Sequence, residues 1–225
     1  LEHDAQKLFQ VANERLVKAG FEALPLSKPV DTTMLALALG IEVKINWIPS
    51  PRPARVERRW DLVLKRYRWT IWVQPHQHPE LRLRLVAHEI GEILAKLRGM
   101  RCANIERYCD LLGDCLRCPK EALDKRLSGF DWEEEVLLEL SFEFGIPLRS
   151  MFFRVAYYYR LSAALLVGSD IYRIGHWSVP QSDAFIRRAA KGGGGAKTVR
   201  LNGGAVAVVP IVDDSVAEMQ MNYFG

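Results

Sequence analysis

Apolar residues recur at helical spacing in the N-terminal part of the chain. They do so over residues 4–19, and Gly20 predicts the end of this helix. Asp31 is a residue type that caps helix N-termini, so a second helix is expected from there to Leu39, before Gly40. Two helices are therefore predicted ahead of any strand.

Strict alternation of apolar and polar residues begins after these helices. Residues 41–48 alternate throughout and predict a half-buried strand. Residues 60–64 and 69–73 predict two further strands around a short basic turn near residues 66–68. Helices followed by a small, three-stranded antiparallel sheet and then more helices predict an α+β fold, with the sheet packed on the helices.

Two long helical stretches follow the predicted sheet. The first is expected to begin at Pro79, a residue type favoured at the first helical position, and to end at Leu97, before Gly99. The second covers residues 105–119 and ends at a proline. These two stretches carry most of the candidate chemistry.

The following segment predicts a pair of helices. Residues 131–144 and 147–166 have helical patterns joined at Gly145, which is similar to a helix-turn-helix. The second helix carries three candidates for contacts with DNA phosphates: Arg149, Arg154 and Arg160. The first helix is acidic and opposes docking on its side, so core or interface packing is the competing interpretation of this unit.

The C-terminal tail contains turn signals. Asn202-Gly203 predicts a hairpin between residues 197–201 and 205–212. The glycine run at residues 192–195 lacks the strand-and-helix context of a phosphate-binding loop, so it is interpreted as a flexible break.

The composition is that of an ordinary globular protein, with 49% apolar and 26% charged residues in a chain of 225. This length suits one main domain with smaller appendages, which we place at residues 1–128, 129–168 and 169–225. No apolar run reaches the roughly 20 residues of a membrane helix, and the first residues carry no secretory signature. A cytoplasmic location without a membrane partner is expected.

Positive charge is concentrated in one segment, although the formal net charge of +4 is small. The cations of this segment are Arg52, Arg55, Arg58, Arg59, Lys65, Arg66 and Arg68. Only Glu57 and Asp61 oppose them there. A DNA-associated regulator is one interpretation, and a solvated hairpin that its cations protect from aggregation is another.

Four cysteines lie within 17 positions in and just before the second long helical stretch, at Cys102, Cys109, Cys115 and Cys118. Their spacing differs from the paired Cys-x-x-Cys of a zinc ribbon, and Cys109 and Cys115 diverge around a helix. Buried thiols are the favoured interpretation. A disulfide between Cys102 and Cys118 is the main alternative, ahead of a zinc or iron–sulfur site.

His88 and Glu92 are the first candidate metal ligands, because residues four apart on a helix project from the same face. Glu89 lies about 100° around the helix axis, where it can act as general base on a water. Glu106 on the next helix is the expected third ligand. Ion pairs are the alternative role for these carboxylates, with three neighbouring cations: Arg82, Arg84 and Lys96.

Two further histidines precede the same helix. His76 and His78 have a spacing at which both can meet a metal. They lie in a loop flanked by two prolines, which is also an ordinary place for exposed polar residues, and we favour that interpretation.

Four segments occur in the order and spacing of a known family. They are Pro29-Val30-Asp31 with the following residues up to Val43, Ala87-His88-Glu89-Ile90-Gly91, the stretch from Glu106 to Pro119, and Phe144-Gly145-Ile146-Pro147. On these segments, residues from about 29 to 165 resemble the ImmA/IrrE family of bacterial metallopeptidases. That family is implicated in cleaving helix-turn-helix repressors.

The resemblance implies a zincin-like domain and a metal-dependent endopeptidase. One divalent ion, zinc first and manganese second, would be held by His88, Glu92 and Glu106, with Glu89 as general base. The implied partner is a helix-turn-helix repressor as protein substrate. Glu92 stands where the family has a second histidine, so a catalytically degenerate protein-binding module is the alternative function.

Overall fold

The computed structural model describes residues 1–100, 105–127, 134–159, 162–167, 169–174, 181–192, 196–201 and 205–210. The helices in these ranges are α1 (Glu2–Lys18), α2 (Thr32–Ala38), α3 (Pro79–Leu97), α4 (Ile105–Arg117), α5 (Lys120–Arg126), α6 (Glu134–Phe144), α7 (Leu148–Tyr158) and α8 (Gln181–Ala190). The strands are β1 (Ile41–Ile45), β2 (Ala54–Asp61), β3 (Arg66–Val73), β4 (Ala163–Val167), β5 (Asp170–Ile174), β6 (Ala196–Leu201) and β7 (Ala205–Pro210). The fold is α+β, as predicted.

The chain divides into two compact units. The first unit comprises Leu1–Phe130 with Glu139–Met151, and the second comprises Asp131–Leu138 with Phe152–Gly225. The candidate ligands predicted from the sequence all belong to the first unit.

The core of the first unit lies between helices α1 to α4 and one face of a three-stranded sheet. Phe9, Leu35, Ile71, Ile90 and Leu116, one from each of α1, α2, β3, α3 and α4, are buried together in it. Burial of these apolar side chains stabilises α3 and α4 more than helix propensity does, since isolated helices of this length are marginal in water.

The three-stranded sheet has the order β1-β3-β2. Strands β2 and β3 form an antiparallel hairpin, but β1 pairs with β3 in parallel, with Ile41 opposite Trp69 and Ile45 opposite Val73. The prediction of an antiparallel sheet is therefore wrong for β1. Alternation of apolar and polar residues indicates which face a side chain occupies, but it does not determine which strand becomes the neighbour.

The turn between β2 and β3 lies at residues 62–65, earlier than the predicted turn at 66–68. Asp61 causes this shift, because its Oδ1 accepts hydrogen bonds from the backbone N–H groups of Val63 and Leu64 at 3.0 and 2.9 Å. Lys65 completes the turn with a φ of 48°. The predicted strand 60–64 is therefore wrong, because the apolar residues 62–64 form the turn.

The helix ends of the first unit follow the sequence signals. Asp31 Oδ1 accepts hydrogen bonds from two backbone N–H groups at the start of α2, at 2.8 and 3.1 Å, which confirms the predicted cap. Helix α3 begins at Pro79 and ends at Leu97 as predicted, and Gly99 beyond it has a φ of 63°. His78 is the N-cap of α3, which supports a structural role for this histidine.

In the second unit, four strands form an antiparallel sheet of order β5-β4-β7-β6. Strands β6 and β7 form the predicted hairpin, with Leu201 opposite Ala205 at its closed end. Helix α8 packs on this sheet, and Ile186 and Ala189 are buried with Ala164 of β4 and Val208 of β7.

The predicted helix 147–166 is too long, because α7 ends at Tyr158 and residues 163–167 form β4. Short runs of consecutive apolar residues fit a buried strand as well as a helix, so their pattern does not distinguish the two. Arg154, one of the three candidates for a phosphate contact, is only 2% exposed, which supports the competing interpretation of core packing for this residue. Arg149 is exposed, and Arg160 lies outside the described residues.

The cysteines confirm the interpretation as buried thiols where the structure describes them. Cys109, Cys115 and Cys118 are all buried, whereas the alternative disulfide between Cys102 and Cys118 involves a residue outside the described ranges. Cys102 lies outside the described residues. Burial raises the pKa of the Cys109 thiol to about 12, so this group stays protonated and unreactive near neutral pH.

Buried Arg117 connects three segments of the first unit. Its guanidinium donates hydrogen bonds to the carbonyl oxygens of Val30 and Phe144 at 2.9 and 2.8 Å, and to Glu80 Oε2 at 2.9 Å. Gly145 leaves the room that this cluster needs, since a Cβ there would lie 2.7 Å from Arg117 Nη2.

Among the helices of the described ranges, none combines the length and apolar character needed to span a bilayer.

We predict that Arg117→Met lowers the free energy of unfolding by about 3 kcal/mol, because two buried carbonyl groups lose their donor. The matched control is Arg126→Met, which removes a part-exposed ion pair with Glu143 and should cost about 1 kcal/mol or less. Urea unfolding of both variants measures the difference. Equal, small effects in the two variants would contradict the role assigned to Arg117.

Candidate functional site

Helices α3 and α4 approach each other closely at two glycines. A Cβ at Gly91 of α3 would lie 3.0 Å from the Cα of Cys109, and a Cβ at Gly113 of α4 would lie 3.3 Å from the backbone nitrogen of His88. Both distances are shorter than ordinary van der Waals contact, so side chains at these positions would push the helices apart. The close approach places His88 next to the first turns of α4.

His88 contacts two carboxylates of α4 through its two ring nitrogens. Its Nδ1 lies 2.9 Å from Asp110 Oδ1, and its Nε2 lies 3.4 Å from Glu106 Oε2. Glu106 and Asp110 are four residues apart on α4 and therefore project from one face. The hydrogen bond to Asp110 raises the pKa of His88 above its ordinary value, and the same bond lowers the pKa of Asp110.

Glu89 is the buried acid of the site. It is 5% exposed, and its buried Oε2 has no hydrogen-bond partner among the residues that the structure describes. Burial raises the pKa of Glu89 to about 7, and the neighbouring charge of Glu92 adds to the increase. A carboxyl group with a pKa near 7 can accept or donate a proton at neutral pH, which is the property required of a general acid–base group.

Glu92, the predicted second ligand, contacts a cation on its own helix. Its Oε2 lies 2.6 Å from Lys96 Nζ, one turn further along α3. This ion pair is the alternative role that the sequence left open for the carboxylates. Arg82, another predicted partner, donates to the backbone carbonyl oxygens of Pro75 and Gln77.

These residues line one open cleft of about 420 Å³. Its apolar wall consists of Pro53, Ala54, Leu81 and Leu85. Its polar groups are Arg52, Arg84, His88, Glu89, Glu92, Glu106 and Asp110. All four residues predicted for the site, His88, Glu89, Glu92 and Glu106, are thus brought to the same cleft.

The donor atoms fit a metal ion in part. Two ligands that each lie about 2.1 Å from a tetrahedral zinc are roughly 3.4 Å apart, and the distance between His88 Nε2 and Glu106 Oε2 is 3.4 Å. Glu92 Oε2 is paired with Lys96 Nζ, so the lysine competes with an ion for this predicted ligand. Within the described ranges, no three His, Cys, Asp or Glu side chains are already grouped to hold an ion.

Asp110 is the site residue that the sequence prediction missed. It lies one helical turn beyond Glu106, so the same spacing rule that paired His88 with Glu92 indicates it. Arg84 also reaches this cleft, where its positive charge lowers the pKa of Asp110. His76 lines a different cleft together with Trp47 and Gln74.

Comparisons with known proteins give little information about the function of this cleft. No family model matches the chain, and no curated protein matches it. Among solved structures, a Mycobacterium tuberculosis transcriptional regulator is similar, with a TM-score of 0.49 and 11% identity, over 91% of this chain and 87% of that one. This likeness is too distant to bear on function.

We predict that Glu89→Gln stabilises the metal-free protein in a pH-dependent way. Because folding raises the pKa of Glu89 from 4.5 to about 7, wild-type stability is lost as the pH rises through that window. The variant should match wild type near about pH 4 and exceed it by roughly 3 kcal/mol near about pH 8.

Urea unfolding of chelator-treated protein at the two pH values measures this effect. The raised pKa of His88 also makes the protein less stable as the pH rises. Wild type and variant are therefore compared with each other at each pH, because both contain His88. Glu22→Gln at an exposed position is the control. A gain in stability that is independent of pH would contradict the elevated pKa of Glu89.

Proposed function

We propose that this chain is a metal-dependent endopeptidase of the ImmA/IrrE type with a zincin-like first unit. The observation that carries the proposal is the arrangement around His88, with Asp110 on one ring nitrogen, Glu106 beside the other and buried Glu89 adjacent. One cleft would thereby hold a metal ligand, the group that orients it and a proton carrier.

Asp110 would act as the positioning residue for His88. A carboxylate that accepts a hydrogen bond from Nδ1–H holds the imidazole in the tautomer whose Nε2 lone pair is available to a ligand. In this structure Nε2 faces Glu106, so the tautomer selected by Asp110 would direct the lone pair of Nε2 towards Glu106, the predicted third ligand.

Metal binding would use His88, Glu106 and Glu92. Lewis-acid polarisation of the scissile carbonyl is the chemistry that a divalent ion supplies when bound at such a site. The ion pair of Glu92 Oε2 with Lys96 would compete with this ligation. Zinc is the first candidate ion, and manganese is the second because two carboxylates make the ligand set rich in oxygen.

Glu89 would move the protons of peptide hydrolysis. Its carboxylate would accept a proton from the attacking water and donate it to the departing amine. The pKa of about 7 suits both steps, and within the described ranges no hydrogen bond to Oε2 competes with that contact. The substrate inferred from the family resemblance is a helix-turn-helix repressor.

We predict that Glu89→Gln retains the metal but loses roughly 100-fold or more in peptidase rate. His88→Ala should lose both the metal and the peptidase activity, since it removes a proposed metal ligand. Metal content after purification without chelator, followed by cleavage of a helix-turn-helix repressor, measures the two effects. His76→Ala, in a different cleft, is the matched control and should behave as wild type.

Two results would contradict this assignment. One is full peptidase activity in Glu89→Gln, which would remove the proton carrier from the mechanism. The other is an unchanged metal content in His88→Ala, which would place the ion elsewhere.

We predict that Glu92→His binds zinc more tightly than wild type and shifts the pH optimum of hydrolysis downward. Two carboxylates and one neutral imidazole cancel the charge of a divalent ion, whereas two imidazoles and one carboxylate leave it at +1. The substitution also removes the competing ion pair with Lys96. Zinc titration and the pH–rate profile measure both effects, and no gain in either would indicate that Glu92 is not a ligand.

A second candidate function is a metal-free protein-binding module that retains the fold. The ion pair between Glu92 and Lys96 favours it, because this contact occupies a carboxylate that the metal site needs. Thermal unfolding with and without zinc or manganese separates the candidates. Metal-dependent stabilisation supports the peptidase, and its absence together with metal-free purified protein supports the binding module.

A further inference from the structure

The hairpin of β2 and β3 presents exposed apolar side chains at its turn. Burial along both strands decreases away from the core, and residues 58–60 and 66–68 are exposed. At the turn, Leu62 and Val63 are 81% and 88% exposed, and Leu64 is exposed as well. We call these three residues the hairpin tip. Adjacent exposed aliphatic side chains favour removal from water, so they indicate a docking surface.

The turn holds the hairpin tip in a defined conformation. Asp61 Oδ1 accepts hydrogen bonds from the backbone N–H groups of Val63 and Leu64, and Lys65 follows with a positive φ of 48°. The three aliphatic side chains are therefore presented by an ordered turn at the end of two paired strands.

Aromatic side chains lie directly behind the hairpin tip. Trp60 and Tyr67 are cross-strand neighbours whose rings meet edge to face at 4.9 Å, and both are about half exposed. The guanidinium of Arg58 lies 3.5 Å from the Tyr67 ring centre. Tryptophan and tyrosine with an apolar body and a polar edge are the side chains that favour the boundary between water and lipid.

Positive charge surrounds the same hairpin. Residues 54–73 contain six cations and two anions, so their net charge of +4 equals the formal net charge of the whole chain. Both anions are engaged, Glu57 with Arg59 and Trp72, and Asp61 with Arg68 and the turn. In the part of the chain that the structure describes, Arg58, Lys65 and Arg66 make no ion pair.

We infer that the hairpin tip docks this chain on an anionic lipid surface. The aliphatic residues enter the boundary of the acyl chains, the aromatic pair lies at the interface, and the cations contact lipid phosphates. Arg58, which makes no ion pair among the described residues, lies three residues before the end of β2, roughly 10 Å along the hairpin. That spacing suits a segment buried about 5–10 Å into the headgroup region.

Charge and chemistry favour lipid over other occupants. A second copy of the chain would bring two hairpins of the same positive charge together. Duplex DNA could bind the cations through its phosphates, but it would leave the aliphatic side chains of the hairpin tip without an apolar surface to contact. The expectation of no membrane partner rested on the lack of a spanning segment, and peripheral docking needs none. The inference is independent of the proposed peptidase.

The test is co-sedimentation of the full chain with vesicles of phosphatidylcholine, with and without phosphatidylglycerol. Wild type should sediment only with the vesicles that contain phosphatidylglycerol, and added salt should weaken this binding. Leu62→Ser combined with Val63→Ser should reduce binding by about tenfold or more. Lys65→Asn combined with Arg66→Ser should also reduce it by about tenfold.

Phe142→Ser is the matched control, because Phe142 is an equally exposed apolar residue, at 83%, on α6. It should bind as wild type does. Equal binding to both vesicle types, no binding to either, or unchanged binding of the Leu62 and Val63 variant would overturn the inference. So would binding of the same hairpin to duplex DNA, or tip-dependent self-association, in the absence of vesicle binding.

Discussion

The candidate site depends on the close packing of α3 against α4. Gly91 and Gly113 remove the side chains that would separate the two helices, and the backbone of each helix lies against a glycine of the other. Only at this separation does His88 reach the carboxylates of Glu106 and Asp110. Buried apolar residues of the two helices hold the contact, so the chemistry of the cleft rests on core packing.

Electrostatic competition determines what this cleft can do. Four carboxylates share it with one histidine and two arginines, and Glu89 is buried deeply enough to approach a pKa of 7. A divalent cation would relieve repulsion among these carboxylates, which is a physical reason for such a cluster to bind one. Lys96 relieves part of the same repulsion at Glu92, so the metal and the lysine compete for one side chain.

The α+β class, the helix caps and the residues of the cleft could be predicted from the sequence, because helical spacing directly determines which side chains share a face. Asp110 could have been found by the same rule. Spacing alone could not decide whether Glu92 faces Lys96 or a ligand site, since both lie within reach of one carboxylate. The parallel pairing of β1 and the strand at residues 163–167 depend on tertiary neighbours, which local patterns do not contain.

The metal site can be located by anomalous diffraction at the zinc edge, from crystals of the full chain grown with zinc. We expect one strong peak between His88 Nε2 and the Glu106 carboxylate, with Glu92 completing the ligand set. A zinc ion bound elsewhere, or no ion and an intact pair between Glu92 and Lys96, would contradict it.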